Sequence, residues 1–215
     1  MTPDPNPNLP QWSRSLEAGI DAMALVVSAS QRSRLLAYLA LLEKWNRAFN
    51  LTAIRDPAQM VPRQLLDSLS LLPHLPTGRV LDVGTGGGLP GIPLAIARPQ
   101  AAFVLLDANG KKIRFVRQAV LELGLANVEP VHGRVERYRP AQPFDVVVSR
   151  AFASLGDMVD ATRHLLAPHG CWIAMKGPGE TAERQALPAG LAVASVPVVI
   201  PGLPADHRLA IIRTA

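Results

Sequence analysis

The stretch that most restricts how this chain can fold runs Val80-Leu81-Asp82-Val83-Gly84-Thr85-Gly86-Gly87-Gly88-Leu89-Pro90-Gly91. A short apolar strand passes into a glycine loop and then into a helix near Ile92–Arg98. That order opens a βαβ unit, and ligands of such units bind at the loop beyond the strand's carboxyl end. Glycines there permit positive φ and let a ligand lie against bare backbone. Two ligand readings are open at this point. Gly86-x-Gly88-x-x-Gly91 fits a dinucleotide fingerprint, with Asp107 21 residues beyond Gly86, where a ribose-binding acid belongs. The other frame starts at Gly84, with Asp82 two residues earlier at the loop mouth. A carboxylate there repels a pyrophosphate but suits the sulfonium and ammonium charges of S-adenosylmethionine. Asp107 serves ribose hydroxyls in either frame. The strand ends most naturally at Val83, which favours the Gly84 frame and S-adenosylmethionine over NAD. The plainest alternative is a tight glycine turn that holds no ligand.

The loop separates two rhythms. Residues 13–75 read as helices: Leu35, Leu36, Leu39, Leu42 and Trp45 follow helical spacing, Asp56-Pro57 is an N-cap signal, and a third helix runs through Leu65, Leu66, Leu69 and Leu72 to Pro73. After Pro76-Thr77-Gly78, strands alternate with helices. Strands are expected at Arg79–Val83, Phe103–Leu106, Val128–His132, Phe144–Ser149 and Cys171–Met175, with helices at Lys111–Leu123 and Leu155–Leu166. Val193–Ile200, read as a buried strand, and Leu209–Ile212 close the chain. This alternation implies an α/β fold, a mostly parallel, doubly wound, seven-stranded sheet. Residues 1–77 form a helical extension and 78–215 the ligand-binding domain.

A chain of 215 residues with 48% apolar content can bury about 70% of its unfolded surface and needs no disulfide or metal staple. Its single cysteine, Cys171, excludes an intrachain disulfide and suits a reducing compartment. The net charge of +5 is uneven: residues 79–139 carry nine bases and five acids, while the flanking segments are nearly balanced. Such a stretch can serve phosphate contacts or simply be solvated. Gln185 to Ala205 has no formal charge, but Pro188, Pro197, Pro201 and Pro204 argue against a spanning helix. No targeting signal is evident, so a cytoplasmic protein without membrane contact is expected.

Beyond the loop, several segments occur in a recognisable order. They are Trp45-Asn46-Arg47-Ala48-Phe49-Asn50-Leu51-Thr52-Ala53-Ile54, Leu66-Asp67-Ser68, Leu106-Asp107-Ala108-Asn109-Gly110-Lys111-Lys112, Ser149-Arg150-Ala151-Phe152-Ala153 and Met175-Lys176-Gly177. With the glycine loop, this set resembles the bacterial 16S rRNA guanine-N7 methyltransferases, the RsmG or glucose-inhibited division protein B family, over roughly Leu41 to Gly177. One departure is Gln64, where the family usually has histidine. The resemblance implies a Rossmann-like class I fold using S-adenosyl-L-methionine. It also implies direct in-line methylation of guanosine 527, in the 530-loop region of 16S rRNA, within the small subunit or an assembly intermediate, by a monomer. It implies that Gly84 and Leu89 line the methionine and ribose side of the pocket, with Gly86 also a cofactor contact. Asp107, Ala108 and Asn109 then sit by ribose and adenine, and Val135-Glu136 meets the adenine edge. Arg150 faces both cofactor and substrate and orients the latter. Alternatives are a methyltransferase of this fold with another substrate, or a noncatalytic nucleotide-binding module.

The remaining chemistry is sparse. Cytosine C5 methylation needs a cysteine nucleophile, and Cys171 reads as a core residue. Exocyclic amines usually call for an Asn/Asp-Pro-Pro-aromatic turn, where this chain has Ser149-Arg150-Ala151-Phe152. Guanine N7 already presents a lone pair and needs alignment alone. His74, His132, His164, His169 and His207 are scattered without metal-ligand spacing, so no metal is expected; His164 and His169 read as flanking a helix end. Lys111, Lys112, Arg114 and Arg117 are candidate RNA contacts, with Arg134, Arg137 and Arg139 near the adenine-side loop. Phe152 reads either as a stacking platform for the target base or as a core residue under its loop.

Overall fold

The computed structural model describes residues 6–150, 152, 154–177 and 180–214. Helix α1 spans Leu9–Ala22, starting earlier than its apolar pattern suggests because Pro10 in its first turn needs no N–H partner. Helix α2 spans Ala29–Phe49 and opens with a capping box. Gln31 N–H donates to Ser28 Oγ, and Ser28 N–H donates to Gln31 Oε1 at 2.8 Å. Asp56 caps α3, Pro57–Met60, through Ala58 N–H at 2.9 Å.

The continuous third helix anticipated up to Pro73 is instead broken. A π-helical turn over Val61–Leu66 leads into the short α4, Asp67–Leu69, and then a 3-10 turn at Leu72–His74. Pro62 has no N–H for the ladder, and Asp67 N–H bonds to the Pro62 carbonyl five residues back. The widened turn carries Gln64 and delivers Asp67, both of which matter below.

Then β1 (Arg79–Val83), α5 (Gly91–Ala97), β2 (Ala102–Asp107), α6 (Gly110–Leu123), β3 (Val128–His132), β4 (Phe144–Ser149) and α7 (Leu155–Thr162) follow in order. They are completed by β5 (Leu166–Lys176), α8 (Glu180–Gln185), β6 (Leu191–Pro197) and β7 (Arg208–Thr214). The sheet order is β3-β2-β1-β4-β5-β7-β6, with β7 antiparallel to both neighbours and the other pairs parallel. The winding direction reverses between β1 and β4, which sets their carboxyl ends side by side at the switch point where such sheets bind ligands.

Alternating strand residues feed two cores. Val80, Phe103, Leu105, Val146 and Val148 pack on one face with Leu35, Tyr38, Leu39 and Leu42 of α2. Leu81, Val83, Val104, Leu106 and Val147 pack on the other with Met158 and Val159 of α7. Burying a leucine contributes about 1.5–3 kcal/mol, so the extension is welded to the sheet by its apolar face. Trp12 adds an indole N–H to the Pro57 carbonyl at 2.9 Å.

Two further expectations shift. Val193–Ile200 is not a buried strand: β6 pairs only with β7, exposes part of its length and ends at Pro197, which has no N–H to extend the ladder. Helix α7 stops at Thr162 and passes through a 3-10 turn into β5, which starts at Leu166 and so takes His169 into a strand. Helix α8 is short and polar, with no apolar periodicity to announce it.

Candidate active site

The glycine loop is fixed from three sides. Gly84 and Thr85 N–H groups donate to the Leu106 carbonyl at 2.8 and 3.2 Å, pinning the loop to β2. Gly84 and Gly86 adopt φ of +70° and +59°, which side chains with a Cβ resist. From α2, the buried Tyr38 hydroxyl donates to the Gly87 carbonyl at 2.6 Å. Burial pushes that phenol far above its usual range, so it stays a donor.

Asp82 is not at an open mouth. It is fully buried, and its Oδ2 accepts from Thr85 Oγ1 at 2.6 Å and from Gly91 N–H at 2.8 Å. It acts as a strut across the loop, and a Cβ on Gly91 would sit 2.7 Å from the same oxygen. Asp82 Oδ1 is buried with no hydrogen-bond partner among the described residues. Burial raises the carboxyl to about 6, against its bonds to Thr85 and Gly91 and the pull of Arg150.

Five of the expected cofactor contacts line one cleft of about 180 Å³: Gly84, Asp107, Ala108, Val135 and Glu136, with Arg134 beside them. Asp107 is nearly buried at the end of β2. Its Oδ2 accepts from Gly86 N–H and its Oδ1 from Asn109 N–H, both at 2.8 Å. A carboxylate has about four acceptor sites, so two remain for a ligand. A Cβ on Gly86 would meet nothing closer than 3.9 Å, so the loop backbone there lies open. Asn109 spends its side chain capping α6 through Lys111 N–H. Leu89 is 3% exposed and packs into the core under the loop.

Arg150 lies in a second, larger cleft of about 380 Å³. Ser149 Oγ donates to the Val83 carbonyl at 2.9 Å, holding the end of β4 against the glycine loop. From there the Arg150 guanidinium reaches the extension, donating to the Arg63 carbonyl at 3.2 Å and pairing with Asp67 Oδ2 at 3.5 Å. Gln64 also faces it, Oε1 at 3.5 Å from Nη2. More of the wall comes from Thr52, from Met175 to Gly177 at the end of β5, from His207 in the β6–β7 connection and from Arg208 at the start of β7. Lys176 is held by Glu183 at 2.8 Å and Arg208 lies 3.6 Å from Glu180. Sequence reasoning passed over Asp67, Gln64, His207 and Arg208 as site residues. The Leu-Asp-Ser segment and the departure at Gln64 were the only signals for the first two.

Lys111, Arg114 and Arg117 are exposed along α6, while Lys112 is half-buried with its ammonium 4.0 Å from a Cβ built on Gly86. Arg139 folds back onto the Glu136 and Tyr138 carbonyls. Phe152 is half-buried against the α7-side core, and its carbonyl accepts from Lys176 Nζ; Ala151 and Ala153 lie outside the described residues. Cys171 is buried and burial pushes its thiol up, which makes it a poor nucleophile. Among the described residues no three His, Cys, Asp or Glu side chains come together as a metal site, and no helix is long and apolar enough to cross a membrane.

A family described as GidB, rRNA small subunit methyltransferase G, matches residues 31–208. A ribosomal RNA small subunit methyltransferase G of Marinobacter nauticus is 54% identical over 96% of this chain and 97% of its own length. Its namesake in Pseudomonas aeruginosa is 52% identical over 92% and 94%. Among solved structures, a glycopeptide N-methyltransferase complexed with S-adenosyl-L-methionine superposes with a TM-score of 0.59 at 13% identity, covering 71% of this chain and 87% of that one. TrmN from Thermus thermophilus gives 0.57 at 22% identity, over 79% and 53%. These likenesses fix the fold as that of the class I, Rossmann-like methyltransferases. With the family match spanning most of its length, the chain belongs to the rRNA small subunit methyltransferase G family.

Proposed function

We propose that this protein transfers the methyl group of S-adenosyl-L-methionine to N7 of a guanine in 16S rRNA, guanosine 527 in the 530-loop region, in the small subunit or an assembly intermediate in the cytoplasm. The observation that carries the reading is the pair of clefts at the β1/β4 switch point. One is a glycine-loop cleft ending in Asp107; the other is a polar cleft fronted by Arg150. Bound S-adenosylmethionine supplies an electrophilic methyl carbon on a sulfonium. The free acceptor sites of Asp107 suit ribose hydroxyls, and the buried carboxylate of Asp82 behind the loop favours a cationic ligand over a pyrophosphate through its charge alone. Val135, Glu136 and Ala108 supply the adenine side of that cleft.

Guanine N7 needs no activation, so the protein's contribution is geometric and electrostatic. Arg150 holds the base in line. Lys111, Arg114 and Arg117 on the outer face of α6 bind the phosphate backbone. Incubation with methyl-labelled S-adenosylmethionine and small ribosomal subunits tests the reading. Label is expected in the 16S rRNA, and its absence from RNA would refute the proposal.

A further inference from the structure

The cleft beside Arg150, at about 380 Å³, falls in the roughly 300–1,000 Å³ range of small-ligand sites. Its wall holds a carboxylate that the fold has not used up. The Asp67 side chain is 13% exposed, and its ion pair to Arg150 is loose at 3.5 Å. No described residue donates a hydrogen bond to its Oδ1. Burial lifts its carboxyl above the usual carboxylate range, against the charge and hydrogen bond of Arg150 and the charges of His207 and Arg63. The surrounding wall is rigid. Gln64 Nε2 donates to Thr52 Oγ1 at 2.7 Å, and Ser68 Oγ donates to the Gln64 carbonyl at 2.6 Å.

We infer that this cleft is a guanine pocket in which Asp67 accepts hydrogen bonds from the N1–H and the exocyclic N2 amine, while Arg150 donates to O6. The inference rests on the N7-methylation reading above and adds the means of choosing the base. Along the guanine edge the groups run N7, O6, N1–H, N2–H. Across the site the order is the glycine loop, Arg150, then Asp67. Arg150 follows the strand end that Ser149 ties to Val83, and its guanidinium reaches from there to Asp67 at 3.5 Å. Placing N7 toward the cofactor therefore places O6 at a guanidinium and the two donors at a carboxylate. Adenine would turn its 6-amino group toward Arg150 and its N1 lone pair toward Asp67. Both contacts repel, so the pocket rejects it.

The test is a two-by-two comparison of enzyme and substrate in single-turnover methyl transfer. Wild type and Asp67→Asn act on small subunits reconstituted with guanosine or inosine at the target position, with cofactor affinity measured in parallel. Inosine keeps N7, O6 and N1–H but lacks the N2 amine. Wild type is expected to favour guanosine by about 10- to 100-fold, the effect of losing one hydrogen bond to a charged acceptor. Asp67→Asn is expected to bind the cofactor normally, to slow on guanosine and to discriminate less than about threefold. Should Asp67→Asn slow both substrates by one common factor, Asp67 only braces Arg150 and the pocket assignment falls. An Asp67→Glu variant that regains discrimination supports the assignment, and one that is active but indiscriminate counts against it. A wild type that methylates neither substrate refutes the methyltransferase reading itself.

Discussion

Asp107 Oδ2 accepts the Gly86 N–H at 2.8 Å, tying the end of β2 to a loop 21 residues earlier in the chain. The same carboxylate therefore shapes the glycine loop and, with its remaining acceptor sites, faces the cleft that the loop lines. On the proposed reading, the loop-shaping carboxylate is also the one that binds ribose.

Asp107→Ala is expected to weaken S-adenosylmethionine binding by about 1.5–3 kcal/mol, the worth of a hydrogen bond to a charged acceptor, while the fold persists. Calorimetric titration beside thermal melting checks it. A folded variant with unchanged affinity removes Asp107 from the site.

On the proposed reading, the charge of the buried Asp82 is expected to make cofactor binding pH-dependent. Its carboxyl titrates at about 6 in the free protein because burial outweighs its hydrogen bonds. A folded value raised above the ordinary 3.8 of an aspartate means that this group favours the native state most at low pH, and that the contribution is lost as pH rises through about 6. A cationic ligand reverses the preference by favouring the carboxylate, so binding below about pH 6 expels a proton. Affinity is expected to tighten by up to about tenfold per unit as pH rises toward 6 and then to level off. Asp82→Asn should abolish the slope. A flat wild-type profile between pH 5 and 7 contradicts the role.

Arg150→Ala separates alignment from capture. Misplacing reacting atoms by about 1 Å costs on the order of a hundredfold in rate, so methyl transfer should fall far more than cofactor affinity. Arg150→Lys keeps the charge but loses the planar fork, and should recover only part of the loss. Equal losses in rate and affinity would make Arg150 a cofactor clamp. If neither changes, its contacts with Arg63 and Asp67 only tie the extension to the sheet.

The glycine-loop cleft was legible in the sequence because its parts are local or evenly spaced. The strand ends at Val83 as expected, and Asp107 closes the next strand within reach of Gly86. The cleft around Arg150 was not legible, because its walls come from residues 52–70, 150, 175–177 and 198–209, which only the tertiary fold assembles. The π turn that aims Gln64 and Asp67 has no periodic signature. Asp82 shows the same limit at close range: its place before the loop was plain, but whether it faced ligand or loop depended on Thr85 and Gly91 folding back onto it. Helix α8 and the edge strand β6 were missed or misjudged because a short polar helix and a strand paired on one side carry weak patterns.

The account turns on where the methyl group lands. Small subunits lacking the modification, incubated with this protein and S-adenosylmethionine, should acquire N7-methylguanosine at guanosine 527 of 16S rRNA, mapped by chain cleavage at the methylated base. Omitting the protein or the cofactor should abolish it. Methyl groups appearing only at another base or another atom, or no N7-methylguanosine from a protein that binds the cofactor, would contradict the account.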